Sequence, residues 1–305
     1  GENSVDASVS FRERRNSGYA DYWVRTVGSA LRDVNSAGWR GFENKFVSGG
    51  DFKFDMINAS AQVRNNYERF TGELYARDEF FPFEDFSFSA GARAGAVMSH
   101  DKFCTASYCG RESGNEGVVS GEIGLNWRAG EHSKVFFRFS PFYHSPLADE
   151  MFSSYGACNM SLRSEKGISA ESGFEWRITD EIDFNFTLFA SRLSDEIVYM
   201  NSGNVNLEDD TVRNGAEMGL CWSRRKVGSA GILYSFVESK FAEGVFDGNL
   251  VPMVPRQRLR LFAEMLFCEI LSVYGGYRFV GEQRFGGDYA GRGGMLPAYG
   301  IFDLG

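Results

Sequence analysis

The sequence predicts an all-β chain, a transmembrane antiparallel up-and-down β-barrel present in part, with about 15 strands. Three features carry this reading. Apolar residues recur at every second position, short and long connections alternate, and tryptophan recurs at one level of the strands.

The alternation is clearest at residues 180–200, DEIDFNFTLFASRLSDEIVYM, which hold neither Gly nor Pro. Ile182, Phe184, Phe186, Leu188 and Ala190 alternate with Asp183, Asn185, Thr187, Phe189 and Ser191. A period of two gives a strand two unlike faces, whereas helical spacing would scatter these apolar residues around a cylinder. The apolar face then stops at Arg192. Nine strand residues at about 3.4 Å rise, tilted by about 45°, climb roughly 22 Å, close to the ~25 Å apolar band of an outer-membrane barrel. A β-sandwich strand with one core face alternates in the same way, so this stretch alone leaves both folds open.

The connections separate the two. Tight turns are predicted at RNSG (15–18), SGGD (48–51), PFED (82–85), AGEH (129–132), TDE (179–181), RKVGS (225–229) and CEI (268–270). Between them lie polar segments centred near residues 35, 63, 108, 155, 206, 248 and 290. Outer-membrane barrels keep short periplasmic turns at one end and longer loops at the other, and a sandwich has no such rule.

Trp127, Trp176 and Trp222 each precede a short turn and share parity with the apolar face of their strand, and Phe267 repeats the position. Aromatic rings at a common level fit a membrane–water girdle. The opposite faces are polar. Phe86, Phe88, Ala90, Ala92, Ala94 and Ala96 alternate with Asp85, Ser87, Ser89, Gly91, Arg93 and Gly95, and Leu259, Leu261, Ala263 and Met265 with Arg258, Arg260 and Glu264. Such an interior is wet or filled by another polar body.

Composition agrees. The net charge is −9 and the pI about 5.1, which speaks against a nucleic-acid partner. No window of about 20 apolar residues offers a membrane helix. Gly (36) and Phe (29) are abundant, as long paired strands with interfacial aromatics require. The first residues already alternate, Val5, Ala7, Val9 and Phe11 against Asp6, Ser8, Ser10 and Arg12, with no initiating Met or signal peptide, and the last residues are strand-like. Single-chain bacterial barrels have even strand numbers, so an odd count predicts that residues 1–305 are one partial barrel domain of a longer protein.

Several segments resemble the barrel of TonB-dependent outer-membrane receptors. FSPFYHSPLADEMFSSYG places Pro146 and Glu150 as in the family's loop after a central strand. LRSEKGISAESGFEW keeps Glu165, Ser169, Glu171 and Gly173, with Ser164 where the family usually has Pro. SDEIVY supplies Asp195 and Ile197, and NVNLEDDTVRNGAEMGL supplies Arg213, Gly215 and Glu217. VPMVPRQRLRL resembles a strand start, and YRFVGEQRFGGD with LPAYGIFDL resembles the strands that follow. The six motifs stand in family order over residues 80–305, while residues 1–79 fit by pattern alone. The resemblance implies a barrel of about 22 strands. It also implies a Gram-negative outer-membrane location and a missing N-terminal plug through which the TonB complex acts. The function implied is uptake of a scarce nutrient such as a ferric siderophore or cobalamin.

No site for chemistry emerges. His100 and His144 begin loops and His132 sits in a short turn, none at metal-ligand spacing, and no nucleophile motif or phosphate loop is present. Neither a cofactor nor a metal is expected. Cys104 and Cys109 share one outer loop, where an oxidising exterior permits a disulfide, and a C-x-x-x-x-C metal clip is the rarer reading. Cys158, Cys221 and Cys268 have no assigned partner. Arg111, Tyr143, His144 and Tyr155 are candidate ligand contacts, since aromatic rings and a cation suit an anionic, ring-bearing metal chelate. The alternatives are a passive porin-type channel, a barrel enzyme such as a lipase, which would need a Ser/His pair at one rim, and a soluble sugar-binding sandwich.

Overall fold

The computed structural model describes residues 3–16, 21–39, 42–60, 63–105, 107–147, 150–152, 158–200, 203–267 and 271–305. Strands β1 (Asn3–Asn16), β2 (Asp21–Trp39), β3 (Phe42–Ser60), β4 (Arg64–Phe83), β5 (Phe86–Cys104) and β6 (Cys109–Arg128) are followed by β7 (Ser133–His144), β8 (Glu165–Thr179) and β9 (Ile182–Ser194). A short hairpin, β10 (Ile197–Met200) and β11 (Gly203–Asn206), interrupts the series. Then come β12 (Thr211–Arg224), β13 (Gly228–Phe241), β14 (Gln257–Phe267) and β15 (Leu271–Val280). A second small pair, β16 (Gln283–Arg284) and β17 (Met295–Leu296), precedes β18 (Tyr299–Leu304).

Fourteen strands form one antiparallel sheet in chain order, with β10–β11 and β16–β17 as separate pairs. Neighbours in sequence are neighbours in space, as an up-and-down barrel requires, and the sheet is not closed, since β1 and β18 stand at its edges. No helix among the described residues is long and apolar enough to cross a membrane, which says nothing against crossing by strands.

The two faces are as unlike as the alternation predicts. Val5, Val9, Phe11, Leu74, Phe88, Val119, Trp127 and Leu188 stand exposed on one face. The other carries ion pairs that reach past neighbouring strands: Arg93 on β5 meets Asp51 on β3, 2.8 Å away. Side chains that meet across an intervening strand mark the concave side. The polar face is therefore the inner wall and the apolar face the outer one.

The tight turns at 84–85, 129–132, 180–181 and 225–227 fall at one end. Gly130 takes φ +87°, a left-handed backbone that L side chains rarely adopt, and closes the second of them. Above these turns Trp127, Trp176 and Trp222 lie on the outer face, and the Trp222 indole donates a 3.0 Å hydrogen bond to Glu181 in the adjacent turn. An apolar ring with one hydrogen-bonded edge suits a boundary between lipid and water. The long loops 145–164, 195–210, 242–256 and 281–298 gather at the other end.

Three predicted turns are corrected. The polar stretch near residue 35 lies inside β2 and SGGD (48–51) inside β3; the two strands meet at Trp39 and Phe42 instead. This removes one strand and leaves 14 in the sheet rather than about 15. The glycine pair marks crowding. A Cβ on Gly49 would lie 2.2 Å from the Leu31 carbonyl oxygen and 2.5 Å from the Tyr75 hydroxyl, so only Gly lets that ring lie across the strand. The turn expected at 15–18 also changes ends. Tyr22, paired with Asn16, is level with Ala59, Asn65 and Phe103, at the loop end. Lastly, the connections near residues 63 and 108 are tight, and Thr105 closes the latter by accepting from the Tyr108 amide at 3.1 Å.

Candidate functional site

The inner wall of β3–β6 near the loop end is built from alternate residues. Asp51, Asp55 and Ile57 come from β3, Tyr67, Arg69 and Glu73 from β4, Arg93, Ser99 and Asp101 from β5, and Glu116 and Val118 from β6. Asp55 is almost fully buried. It accepts from Thr26 at 2.6 Å and from Arg69 through Nε (3.2 Å) and Nη2 (2.9 Å), and Lys53 stands 3.1 Å away. A buried carboxylate needs such partners to stay charged. Four residues nearer the turns along β3, Arg93 bridges Asp51 and Glu73 and lies 4.8 Å from the Tyr75 ring centroid.

The loop 145–164 folds inward onto this wall. Met151 and Leu162 are buried against Ile57 and Tyr67, with Phe152, Cys158 and Met160 packed around them. The third Arg69 nitrogen, Nη1, donates to the Pro146 carbonyl. Ser164, fully buried, donates from its amide (3.1 Å) and hydroxyl (2.6 Å) to Glu116. The described parts of the loop are thus fastened inward as a cap. Between it and the wall a cavity of about 210 Å³ remains, lined by Tyr67, Ser99, Glu116, Met160 and Leu162 among others.

Pro141 explains how the chain turns inward. The β6–β7 ladder ends at Ile123↔Phe139, while β7 stays paired with β8 up to His144. Proline has no N–H to donate, so a ladder ends readily there. Past this point β7 leaves β6, and Tyr143, which shares parity with outward Phe137 and Phe139, reaches the inner wall and donates its hydroxyl to Glu73.

The other loops form a second body. Leu207, Phe241 and Val251 are buried together, with the rings of Phe246 and Tyr289 packed against them, tilted or edge-on. Asp288 accepts from the amides of Gly293 (3.0 Å) and Arg292 (2.8 Å), which, with the Arg284 guanidinium, hold its carboxyl below the usual range.

The candidate ligand residues separate. Tyr143 and His144 lie together, and His144 Nδ1 stands 3.3 Å from Glu165. Arg111 does not join them. It is exposed on the outer face of β6, opposite Lys102. Tyr155 and Cys268 lie outside the described residues. Cys104 and Cys109 are cross-strand partners joined by a disulfide, with Cα atoms 4.1 Å apart. Burial pushes the Cys158 thiol well up, with Asp101 and Glu112 adding to the effect. Among the described residues no cluster of His, Cys, Asp and Glu could hold a metal ion.

Family-pattern residues turn out to fasten the loops: the Pro146 carbonyl accepts from Arg69, the Glu150 carboxylate accepts from the Leu147 amide (2.7 Å), and Arg213 donates to Glu196 (2.6 Å), which also accepts from Thr211 (2.6 Å). Sequence reading missed Asp51, Asp55, Arg69 and Glu73. Their signal was present, since Asp51, Lys53 and Asp55 alternate with Phe52, Phe54 and Met56.

The model of the TonB dependent receptor-like β-barrel matches residues 2–305. The chain belongs to the TonB-dependent receptor family. The receptor barrel also resembles solved structures at low identity. The ferric-catecholate import receptor Fiu from E. coli K12 is 14% identical, with a TM-score of 0.76, over 93% of this chain and 48% of its own. The ferric yersiniabactin uptake receptor FyuA from Yersinia pestis is 15% identical, with a TM-score of 0.70, over 99% and 50%. The siderophore receptor PiuA from Acinetobacter baumannii is 13% identical, with a TM-score of 0.76, over 93% and 49%. At these identities the likeness shows the fold, and the chain spans about half the length of these structures. Among curated proteins none matches the sequence.

Proposed function

We propose that this chain is part of the wall of an outer-membrane receptor of a Gram-negative bacterium that imports a scarce nutrient, such as a ferric siderophore, cobalamin or a similar chelate. A plug outside residues 1–305 fills the lumen and couples uptake to the TonB complex. The observation that carries the reading is the family match over residues 2–305, and solved neighbours whose names state siderophore or ferric-catecholate uptake support the ligand class. The charged inner wall, with Arg93 between Asp51 and Glu73, supports a polar body inside the barrel. Tyr143 and His144 contribute ligand contacts from the mouth, and Tyr155 is a further candidate; Arg111, on the outer face, does not.

Uptake of radiolabelled ferric siderophores and cobalamin, measured in cells with and without TonB, tests the proposal. Uptake of one ligand that stops without TonB is expected. Passage of small solutes that persists undiminished without TonB would instead favour a passive porin-type channel.

A further inference from the structure

The outer face near the loop end changes character over three rows of paired residues. In the first row Phe11, Val27, Phe54, Phe70 and Met98 are neighbours, and the face is apolar from β1 to β5, with Asn115 beside Met98 on β6. Two residues further along each strand stand Glu13, Arg25, Met56, Glu68, His100 and Ser113. Two more bring Arg15, Trp23, Asn58, Asn66, Lys102 and Arg111 into one line. Arg64 follows on β4.

Arg15, Arg25, Arg64, Lys102 and Arg111 thus share this belt with three carboxylates, Glu13, Glu68 and, in the Arg64 row, Asp21, on a chain whose net charge is −9. Arg25 stands 3.8 Å from Glu13, and Arg15 and Arg25 lie 5.3 and 5.7 Å from the Trp23 ring centroid. Arg64, Lys102 and Arg111 have no acidic partner among the described residues, and Lys102 and Arg111 face each other directly across the ladder. Like charges so placed repel unless an anion lies between them. Four residues beyond the apolar row is a climb of about 10 Å on a strand tilted by about 45°, which reaches the headgroup layer above the hydrocarbon. Trp23 occupies the same level, where indole rings collect.

We propose that this row, with Arg64, is a docking surface for phosphate-bearing lipid headgroups in the leaflet at the loop end. The phosphate oxygens accept from Arg64, Lys102 and Arg111, the Asn58 and Asn66 amides donate beside them, and the acyl chains continue down the apolar rows below. The surface rests on the membrane-barrel reading and not on which nutrient is imported.

The test uses the natural protein that carries this chain, reconstituted with phosphatidylcholine alone or mixed with phosphatidic acid, followed by mass spectrometry of the lipid it retains. The unmodified protein retains phosphatidic acid in preference to phosphatidylcholine, less so as salt rises. The triple variant Arg64→Gln, Lys102→Gln, Arg111→Gln loses at least ~10-fold of that retention, at roughly five-fold per cation near a charged surface. A charge-keeping variant, Arg64→Lys with Arg111→Lys, retains it. Equal retention of the two lipids by the unmodified protein, insensitivity to salt, or undiminished retention by the Gln variant overturns the proposal. Displacement of the lipid by inorganic phosphate at constant ionic strength would assign the groups to free phosphate and overturn it as well. If the Gln variant does not fold, the preference and salt dependence of the unmodified protein decide. Nutrient uptake by the same samples is a separate readout, so failure of the receptor reading leaves the lipid result standing.

Discussion

Arg69 holds Asp55 with two nitrogens and the backbone of Pro146 with the third, so one side chain ties the inner wall to the loop that caps it. Both side chains are almost fully buried, 6% and 1% exposed. Removing one partner of a buried pair strands the other, at a cost of about 3–5 kcal/mol. Arg69→Ala therefore lowers the unfolding temperature and opens the loop 145–164 to protease, whereas replacing exposed Lys134 does neither. Proteolysis and thermal melting of the two variants check this.

The outer and inner faces tolerate charge differently. Phe186 lies on the outer face of β9 and Asn185 on the inner one. Phe186→Arg puts a cation against lipid near mid-bilayer, which costs roughly 2–4 kcal/mol. Its folded yield in membranes falls far below that of Asn185→Arg. Equal yields would contradict the assignment of faces.

Gly49→Ala tests the corrected course of β3. The added methyl meets the Leu31 carbonyl and the Tyr75 ring, so strand or ring must shift, at about 1–3 kcal/mol. A lowered unfolding temperature is expected, and the double change with Tyr75→Ser relieves only the ring contact, since the Leu31 carbonyl still meets the methyl. A turn at 48–51 would accept the methyl without loss.

The cysteines divide by environment. Mass spectrometry of an unreduced digest yields a peptide linked through Cys104 and Cys109. Reduction costs little, about 2 kcal/mol or less, because the closed loop is short. Cys158 resists alkylation in the folded protein at neutral pH, since burial keeps its thiol protonated, and reacts on unfolding.

Asp288 predicts a pH response in the loop 281–298. Its folded carboxyl is held low, chiefly by the Gly293 amide and also by the Arg292 amide and Arg284. Its contribution is therefore present above the ordinary carboxylate range and is lost as pH falls through the lowered folded value. Hydrogen exchange should show the Arg292 and Gly293 amides protected at neutral pH and opened only in strong acid. Asp288→Asn removes that pH dependence.

The faces were legible because a strand has a strict period of two. Counting by twos from Trp127 or Phe186 assigns nearly every side chain of β6 and β9. The same count places Arg111 outward, sixteen residues before Trp127, and its loop-like neighbourhood hid this. Gly49 misled because sequence cannot separate a glycine that turns the chain from one that makes room for a ring. Tyr143 could not be placed at all. Parity puts it on the outer face, and only the departure of β7 from β6 at Pro141 carries its hydroxyl to Glu73, seventy residues away. The link from Arg69 to Pro146 was hidden for the same reason, since long-range partners leave no periodic trace.

The interruption at Pro141 also has a mechanical meaning. β5 and β6 are joined along 19 residue pairs, from Phe86↔Trp127 to Cys104↔Cys109, whereas β6 and β7 share only those from Ile123↔Phe139 to Arg128↔Lys134. Load carried along an unbroken ladder is shared by every rung. Where the rungs stop half-way, shear passes instead through a few side-chain ties such as Ser164–Glu116 and Tyr143–Glu73. The line between β6 and β7 is therefore the compliant seam of the wall: stiff near the short turns, and able to yield at the mouth without breaking a single strand.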